Sequence, residues 1–391
     1  MSSMCGTKPI FLGAKVCGIT LVETLVSLTL GLAVVSVAFN LYTSNRMVFK
    51  QVEGVARLQE SARVAAALLS ADIRQAGGSL CRNGLPTTNI VNSSEWWAQP
   101  DKGIEGFDST MTDSRASSSS YPRTAGDSFT VWSSNSGPAK FVVQTEARGL
   151  YGHFPTYLDW HLKLSDTTGF QGGDLIVICD YARALIAQTS IPANYRLIVR
   201  YNRSGSPSPG QCGGAFSASS ARIEALPSCN LTSAAYTASI PAYITQDYTW
   251  DTGSTVGELM AHHWYIGSKT NTSAGSLNNR ALRRLTFKID RSIGNGVISA
   301  TPISDEMVEN VSDMQISYLV GNASGYASSA TYVAANAVTD WTKVIAVRIV
   351  LTLTSPEAVG VGAGQAASAA TYTVPINATI RARLPSLVAG F

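Results

Sequence analysis

A long uncharged run near the N-terminus is the strongest pattern in the chain. Glu23 is followed by 22 residues, Thr24 to Asn45, that contain no Asp, Glu, Lys or Arg, and the next charge is Arg46. About 20 apolar residues, each rising about 1.5 Å along a helix, are enough to cross the hydrocarbon core of a bilayer. The run is therefore predicted to be a transmembrane helix, and Glu23 is a costly group unless it finds a partner.

The helical pattern continues beyond Arg46 with one apolar and one polar side. Glu60 and Arg63 lie three residues apart on the polar side, where such pairs support a helix. The apolar stripe recurs every three or four positions and consists of Val48, Val52, Val55, Ala62, Ala66, Leu69 and Ile73. Gly77-Gly78 supplies a stop, so a single helix is predicted from Ile19 to Ala76.

After Gly78 the chain changes to long polar segments alternating with runs typical of β-strands. Eleven strands are predicted, at residues 128–132, 140–144, 174–179, 183–189, 196–201, 259–265, 282–289, 297–301, 314–320, 344–354 and 372–384. The second, third and fourth are expected to form a meander. The predicted fold class is α+β: a long N-terminal helix, transmembrane in its first half, packed on a C-terminal antiparallel β-rich head.

The residues before the helix predict how the chain is oriented and processed. Residues 1–18 carry Lys8 and Lys15 and no acidic residue, and such a positive flank stays cytoplasmic. The small residue Gly18 precedes the apolar run, so cleavage there leaves the span attached, unlike a secretory signal. The predicted division is a leader (1–18), a transmembrane half-helix (19–41), an amphipathic half-helix (42–77) and a β-rich head with long loops (78–391).

Composition and cysteine content favour an exported protein. Charged residues make up only 14% of the chain, and 29 basic residues nearly balance 26 acidic ones, so nucleic acid is an improbable partner. Cys5 and Cys17 leave with the leader, and the other four are disulfide candidates in an oxidising compartment: Cys81, Cys179, Cys212 and Cys229. Of three possible connectivities we favour Cys212–Cys229 with Cys81–Cys179. The spacing argues against a metal site.

The N-terminal segment resembles the cleavage box of type IV prepilins. Gly18 followed by Ile19-Thr20-Leu21-Val22-Glu23 carries this resemblance, although the family usually has Phe where this chain has Ile19. The resemblance implies that prepilin peptidase cuts after Gly18, that Ile19 becomes the N-methylated first residue, and that Glu23 is the carboxylate that registers subunits during assembly. On physical grounds, the new α-amino group of one subunit is a cation able to pair with Glu23 of a neighbour.

Later motifs are similar to the minor pilin family PilW. They are Ala56-Arg57-Leu58-Gln59-Glu60-Ser61-Ala62-Arg63, Asp72-Ile73-Arg74-Gln75-Ala76-Gly77 with Cys81, residues 173–179 with 184–189, residues 308–318, and Trp341 with residues 343–348. The matches are scattered between residues 18 and 384. In residues 82–172 and 203–275 we recognise no motif of the family.

No pattern in the sequence indicates catalysis or a cofactor. The motifs of serine hydrolases, P-loop proteins, zinc proteases and EF-hands do not occur. His262 and His263 are adjacent on a predicted strand, so they point to opposite faces and cannot share a ligand. Arg283, Arg284 and Lys288 are interpreted as a solvated strand face. The chain is therefore expected not to be an enzyme and to need no cofactor.

The expected function is that of a minor pilin that initiates or caps type IV pilus assembly. By resemblance its partners are other minor pilins, the major pilin, a tip adhesin, the inner-membrane assembly platform and prepilin peptidase. It is expected in the inner membrane with a periplasmic head, and then in the surface pilus. Three alternatives stay open: a minor pseudopilin of type II secretion, a DNA-binding competence pilin, and a membrane-anchored exported enzyme.

Overall fold

A computed structural model describes fifteen stretches of the chain and their secondary structure. The described residues are 20–77, 87–89, 96–98, 102–117, 122–149, 157–166, 168–170, 174–180, 184–188, 196–202, 252–271, 278–289, 300–321, 331–359 and 368–381. The helices are α1 (Leu21–Gln75) and the short α2 (Ser114–Ser117), with 3-10 turns at Trp96–Ala98, Ala335–Ala337 and Trp341–Lys343. The strands are β1 (Thr87–Asn89), β2 (Ile104–Phe107), β3 (Arg123–Gly149), β4 (Tyr157–Leu164), β5 (Leu175–Cys179), β6 (Ala184–Gln188), β7 (Arg196–Asn202), β8 (Thr255–Ser268), β9 (Arg280–Ile289), β10 (Ala300–Glu309), β11 (Val311–Val320), β12 (Val344–Val359) and β13 (Ser368–Thr379).

The chain divides into two compact units. The first contains residues 1–54 with 359–368, and the second contains residues 55–358 with 369–391. In the first unit, the described part is almost entirely the N-terminal portion of α1. The second unit contains the rest of α1 and nearly all of the β-structure.

Ten of the described strands form one large sheet in the second unit. The main path runs β1-β6-β5-β8-β3-β4-β7, while β2 joins β3, and β9 and β10 extend the sheet from β8. The long strand β8 organises this sheet, because β3 lies along one edge while β5 and then β9 pair with successive parts of the other. These pairings are antiparallel, whereas the edge strand β1 runs parallel to β6.

The C-terminal part of α1 supplies one side of the main hydrophobic core. A second sheet of three described strands, in the order β11-β12-β13, contributes to the same core. The buried face of the helix is Leu58, Ala62, Ala65, Leu69, Ile73 and Ala76. It packs with apolar residues from both sheets, among them Phe129, Trp264, Ile266, Met314, Ile349 and Ile376. Among the described residues, α1 therefore contributes to the hydrophobic core from Leu58 onward.

The predicted α+β class is confirmed, but the predicted apolar stripe of α1 is partly wrong. Val48 and Val52 are 55% and 63% exposed, whereas Leu58 and Ala65, outside the predicted stripe, are buried. The predicted stripe runs continuously from Val48 to Ile73, whereas the buried face begins at Leu58. Helix α1 is described from Leu21 and ends at Gln75, one residue before the predicted end.

The predicted strands mostly exist, but the predicted meander is wrong. Strands β5 and β6 do pair as an antiparallel hairpin, yet β8 lies between β5 and β3. Residues 128–132 and 140–144 belong to the single long strand β3, and the strand predicted at 297–301 is β10, which begins at Ala300. Strand β4 was not predicted, although Leu158, Trp160, Leu162 and Leu164 alternate along it.

Candidate assembly site

The N-terminal part of α1 exposes a long, largely apolar surface. Its most apolar 18-residue window is entirely unburied, and the helix is long and apolar enough to cross a membrane. The exposed apolar side chains include Val22, Val26, Leu28, Leu32, Val34 and Phe39, which are spread around the helix. A helix that is apolar on every side needs either lipid or other helices around it. This finding is consistent with membrane anchoring.

Glu23 lies in the first turn of this exposed helix. Thr20 occupies the N-cap position, where its Oγ1 accepts a hydrogen bond of 3.3 Å from the backbone N–H of Glu23. The Glu23 residue is exposed, and its carboxylate is available to a partner outside the subunit. Gly18 and Ile19 lie outside the described residues, so their predicted roles in cleavage and methylation stay predictions.

The C-terminal end of α1 is fastened to the large sheet by hydrogen bonds. The carboxylate oxygen Oδ2 of Asp72 lies 2.8 Å from Nδ1 of His262 and accepts a 2.7 Å hydrogen bond from the indole N–H of Trp264. Gly77 terminates the helix with a φ of 61°, in the left-handed region that glycine favours, and its N–H donates to the carbonyl of Trp132 at 2.8 Å. The helix end is therefore held in a defined position on β8 and β3.

The role of Asp72 was not found from the sequence. Asp72 was singled out only as part of a segment that resembles the PilW family, and this resemblance does not show which strand the carboxylate meets. Its position beside buried Ile73 was the available signal, because a carboxylate at the edge of a helix's apolar face requires hydrogen-bond donors. The donors come from residues about 190 positions further along the chain.

A buried polar network lies on the opposite face of the large sheet. Arg115 donates to the hydroxyl of Thr130, whose own hydrogen is then available to Nδ1 of His263, 2.8 Å away. Nε2 of His263 lies 2.9 Å from Oδ2 of Asp113, which also accepts from the hydroxyl of Ser128. The prediction that His262 and His263 point to opposite faces is confirmed, since one meets α1 and the other meets Asp113.

Although Asp113, His263 and Thr130 include the residue types of a catalytic triad, their burial gives them a structural role. The side chains of Asp113 and His263 are 1% and 0% exposed, and Thr130 is also fully buried, so no substrate reaches the hydroxyl. The network instead fastens residues 113–115 to β3 and β8.

The pKa values of His263 and Asp113 are both lowered in the folded protein, but for different reasons. Burial lowers the pKa of His263, and the neighbouring Asp113 carboxylate offsets only part of this effect. Burial alone raises the pKa of Asp113, but the contacts with His263 and Ser128 outweigh it and the pKa is lowered. The folded protein therefore favours neutral imidazole beside ionised carboxylate.

We expect acid to destabilise the fold through this network. Because the folded-state pKa of His263 is below its unfolded value of 6.5, the stability it contributes is present above that pH and is lost as the pH falls through 6.5. The loss has a limiting slope of about 1.4 kcal/mol per pH unit for one proton. The Asp113 carboxyl group adds a similar loss of stability as the pH falls below 3.8, its pKa in the unfolded chain.

Urea unfolding of the full chain in detergent at pH 7.5, 6.5 and 5.5 measures this effect. His263→Gln should be less stable at pH 7.5 but should lose less stability than the native chain between pH 7.5 and 5.5. Parallel curves for the two proteins would mean that His263 does not titrate differently in the folded and unfolded states.

The interpretation of Arg283, Arg284 and Lys288 as one solvated face is wrong. Arg283 is only 1% exposed, and its guanidinium group donates to Ser304 and to the backbone carbonyl of Ser268 while facing Glu306 at 3.4 Å. Alternation along β9 places Arg284 on the other face, over the ring of Trp264. The three side chains therefore do not form one basic surface.

One of the four disulfide candidates is among the described residues. Cys179, at the end of β5, is fully buried and disulfide-bonded, and its Sγ lies 3.3 Å from the hydroxyl of Thr255. The other three candidates, Cys81, Cys212 and Cys229, lie outside the described residues, so the partner of Cys179 is not identified. The pairings therefore stay predictions. Within the described part of the chain, no group of three His, Cys, Asp or Glu residues is arranged to hold a metal ion.

The exposed apolar helix and the core built on its C-terminal part define a pilin-like α+β protein. Residues 263–382, from within β8 to just beyond β13, match the family model of PilW, the type IV pilus-assembly protein W. This match, which covers less than a third of the chain, and the fold together support a PilW-family type IV pilus protein. A role in pilus assembly implies interaction with other pilus components in general. No curated protein and no solved structure matches the chain.

Proposed function

We propose that this protein is a minor pilin that initiates or caps a type IV pilus. Its mechanism is assembly rather than catalysis, and it needs no cofactor. Prepilin peptidase removes residues 1–18, Ile19 is N-methylated, and the apolar part of α1 waits in the inner membrane with the head in the periplasm. Extraction then exchanges lipid around α1 for the helices of neighbouring subunits.

The observation that carries the proposal is the exposed, charge-free portion of α1 with one carboxylate in its first turn. Thr24 to Asn45 provides no charge of its own to neutralise Glu23. A carboxylate in hydrocarbon costs several kcal/mol unless it is paired, so a subunit with this helix gains by meeting a cation in another chain. The α-amino group created at Ile19 is a cation at the same end of the helix.

The size of the head supports a terminal position in the fibre. More than 300 residues follow α1, and a head of that size would crowd a position repeated at every step of a helical lattice. Other minor pilins, the major pilin and a tip adhesin are therefore the proposed partners, with the inner-membrane platform acting during extraction.

An intact-mass measurement on chain purified from membranes tests the processing step. In cells with prepilin peptidase, we expect a product that begins at Ile19 and carries one methyl group. Gly18→Leu is the matched control, and it should retain the leader because the peptidase requires a small residue before the cut. A native chain that still begins at Met1 would contradict the proposal.

A further inference from the structure

Three exposed side chains form one face of α1 where the charge-free run ends. Tyr42, Arg46 and Lys50 follow each other at intervals of four residues, which places them on the same side of a helix. Tyr42 is 58% exposed, and the guanidinium carbon of Arg46 lies 5.8 Å from the centre of its ring. An arginine at this distance from an aromatic ring is in the range of a cation–π contact.

The direction of these side chains sets the depth at which the charge lies. Long side chains on a helix lean toward its N-terminus, so the Arg46 guanidinium lies level with Tyr42, one turn before its own backbone. From Thr24 to Leu41 the helix has 18 residues, about 27 Å at 1.5 Å per residue, close to the ~30 Å thickness of the hydrocarbon core. The first positive charge thus meets the outer edge of the hydrocarbon.

Both cations lack a protein anion among the described residues. The ion pairs of α1 include Arg63 with Glu60 and Asp72 with His262, and neither of these involves Arg46 or Lys50. The aromatic contact with Tyr42 supplies no anion for the guanidinium group. At this depth of a bilayer, the abundant anion is the phosphate group of phospholipid.

We propose that Tyr42, Arg46 and Lys50 form a binding surface for phospholipid phosphates in the outer leaflet of the inner membrane. Arginine matches the oxygens of a phosphate with two parallel N–H donors, and lysine adds a second positive charge one turn further out. Tyrosine is typical of the boundary between hydrocarbon and headgroups. The surface holds the stored subunit at a fixed depth until extraction. This inference rests on the proposed membrane placement of α1.

Native mass spectrometry of the full chain released from nanodiscs tests the proposal. The nanodiscs contain phosphatidylglycerol and phosphatidylcholine, and the measured quantity is phosphatidylglycerol retained per chain. Each basic side chain near a headgroup contributes about fivefold in affinity for anionic lipid. Arg46→Gln and Lys50→Gln should each lower retention by about that factor. Arg63→Gln, an exposed change on the same helix beyond the span, should leave it unchanged.

The possible outcomes separate this inference from the proposed function. Unchanged retention in Arg46→Gln and Lys50→Gln, or an equal loss in Arg63→Gln, would overturn the lipid surface. The proposal would also fail if the two variants retained phosphatidylglycerol normally but bound other pilus subunits more weakly, because the cations would then pair with a protein carboxylate. Loss of the retained phosphatidylglycerol when inorganic phosphate is added would also overturn the proposal. If the lipid effect appears in a chain that still begins at Met1, the surface stands and the pilin proposal fails.

Discussion

Glu23→Gln is expected to leave the chain in the membrane and to exclude it from fibres. The change keeps the size and helix propensity of the side chain but removes the charge that would pair with the α-amino group of a neighbouring subunit. Breaking a buried ion pair by removing one partner costs about 3–5 kcal/mol, because the other charge is left in the low-dielectric interior. A free-energy cost of this size corresponds to at least about a hundredfold lower incorporation of the variant into fibres.

Sheared fibres and membranes from the same cells provide the measurement. Quantitative mass spectrometry should find the Glu23→Gln chain at native levels in membranes, correctly cleaved, and nearly absent from fibres. Glu60→Gln is the matched control, because Glu60 is an exposed carboxylate on the same helix whose 3.9 Å contact with Arg63 contributes little. Equal incorporation of the two variants would show that the Glu23 charge plays no part in assembly.

Leu69→Ala is expected to cause the largest loss of stability of the changes that do not affect charge. Leu69 is 0% exposed and lies in the middle of the buried face of α1, between Ala65 and Ile73. Truncating a fully buried leucine removes its packing and leaves a cavity, which together cost about 2–5 kcal/mol. Loss of this contact also weakens the position of Asp72, one turn further along the helix.

Val64→Ala provides the comparison for this change. Val64 is 42% exposed on the same stretch of α1, so its truncation should alter the free energy of unfolding by only about 0.5 kcal/mol. Urea unfolding of both variants as full chains in detergent gives the difference directly. If the two variants lose the same stability, the helix is not packed against the sheets through the face that contains Leu69.

Features carried by neighbouring residues could be predicted from the sequence. The long helix follows from its periodicity, and the exposed apolar portion follows from the absence of charge between Glu23 and Arg46. Most strands, including β11 and β12, follow from alternation and β-branched residues. These signals are local, because each depends on residues within one or two turns or one strand.

Features that depend on which elements meet could not be predicted in the same way. Strand β8 separates β3 from β5 because these two strands pair with its opposite edges, and no local pattern indicates this order. Arg283 resembled a surface cation in the sequence, yet its partners come from the end of β8 and from β10. The Asp72 and Asp113 contacts likewise join residues 150 or more positions apart.

The most direct test of the pilin proposal is the mass and location of this chain in purified fibres. Intact-mass analysis of sheared pili, combined with immunogold labelling of the head, should find a chain that begins at methylated Ile19 and is concentrated at fibre ends. A chain found only in membranes, or one that still carries residues 1–18, would contradict the proposal that the exposed part of α1 exists to be withdrawn from lipid into a fibre.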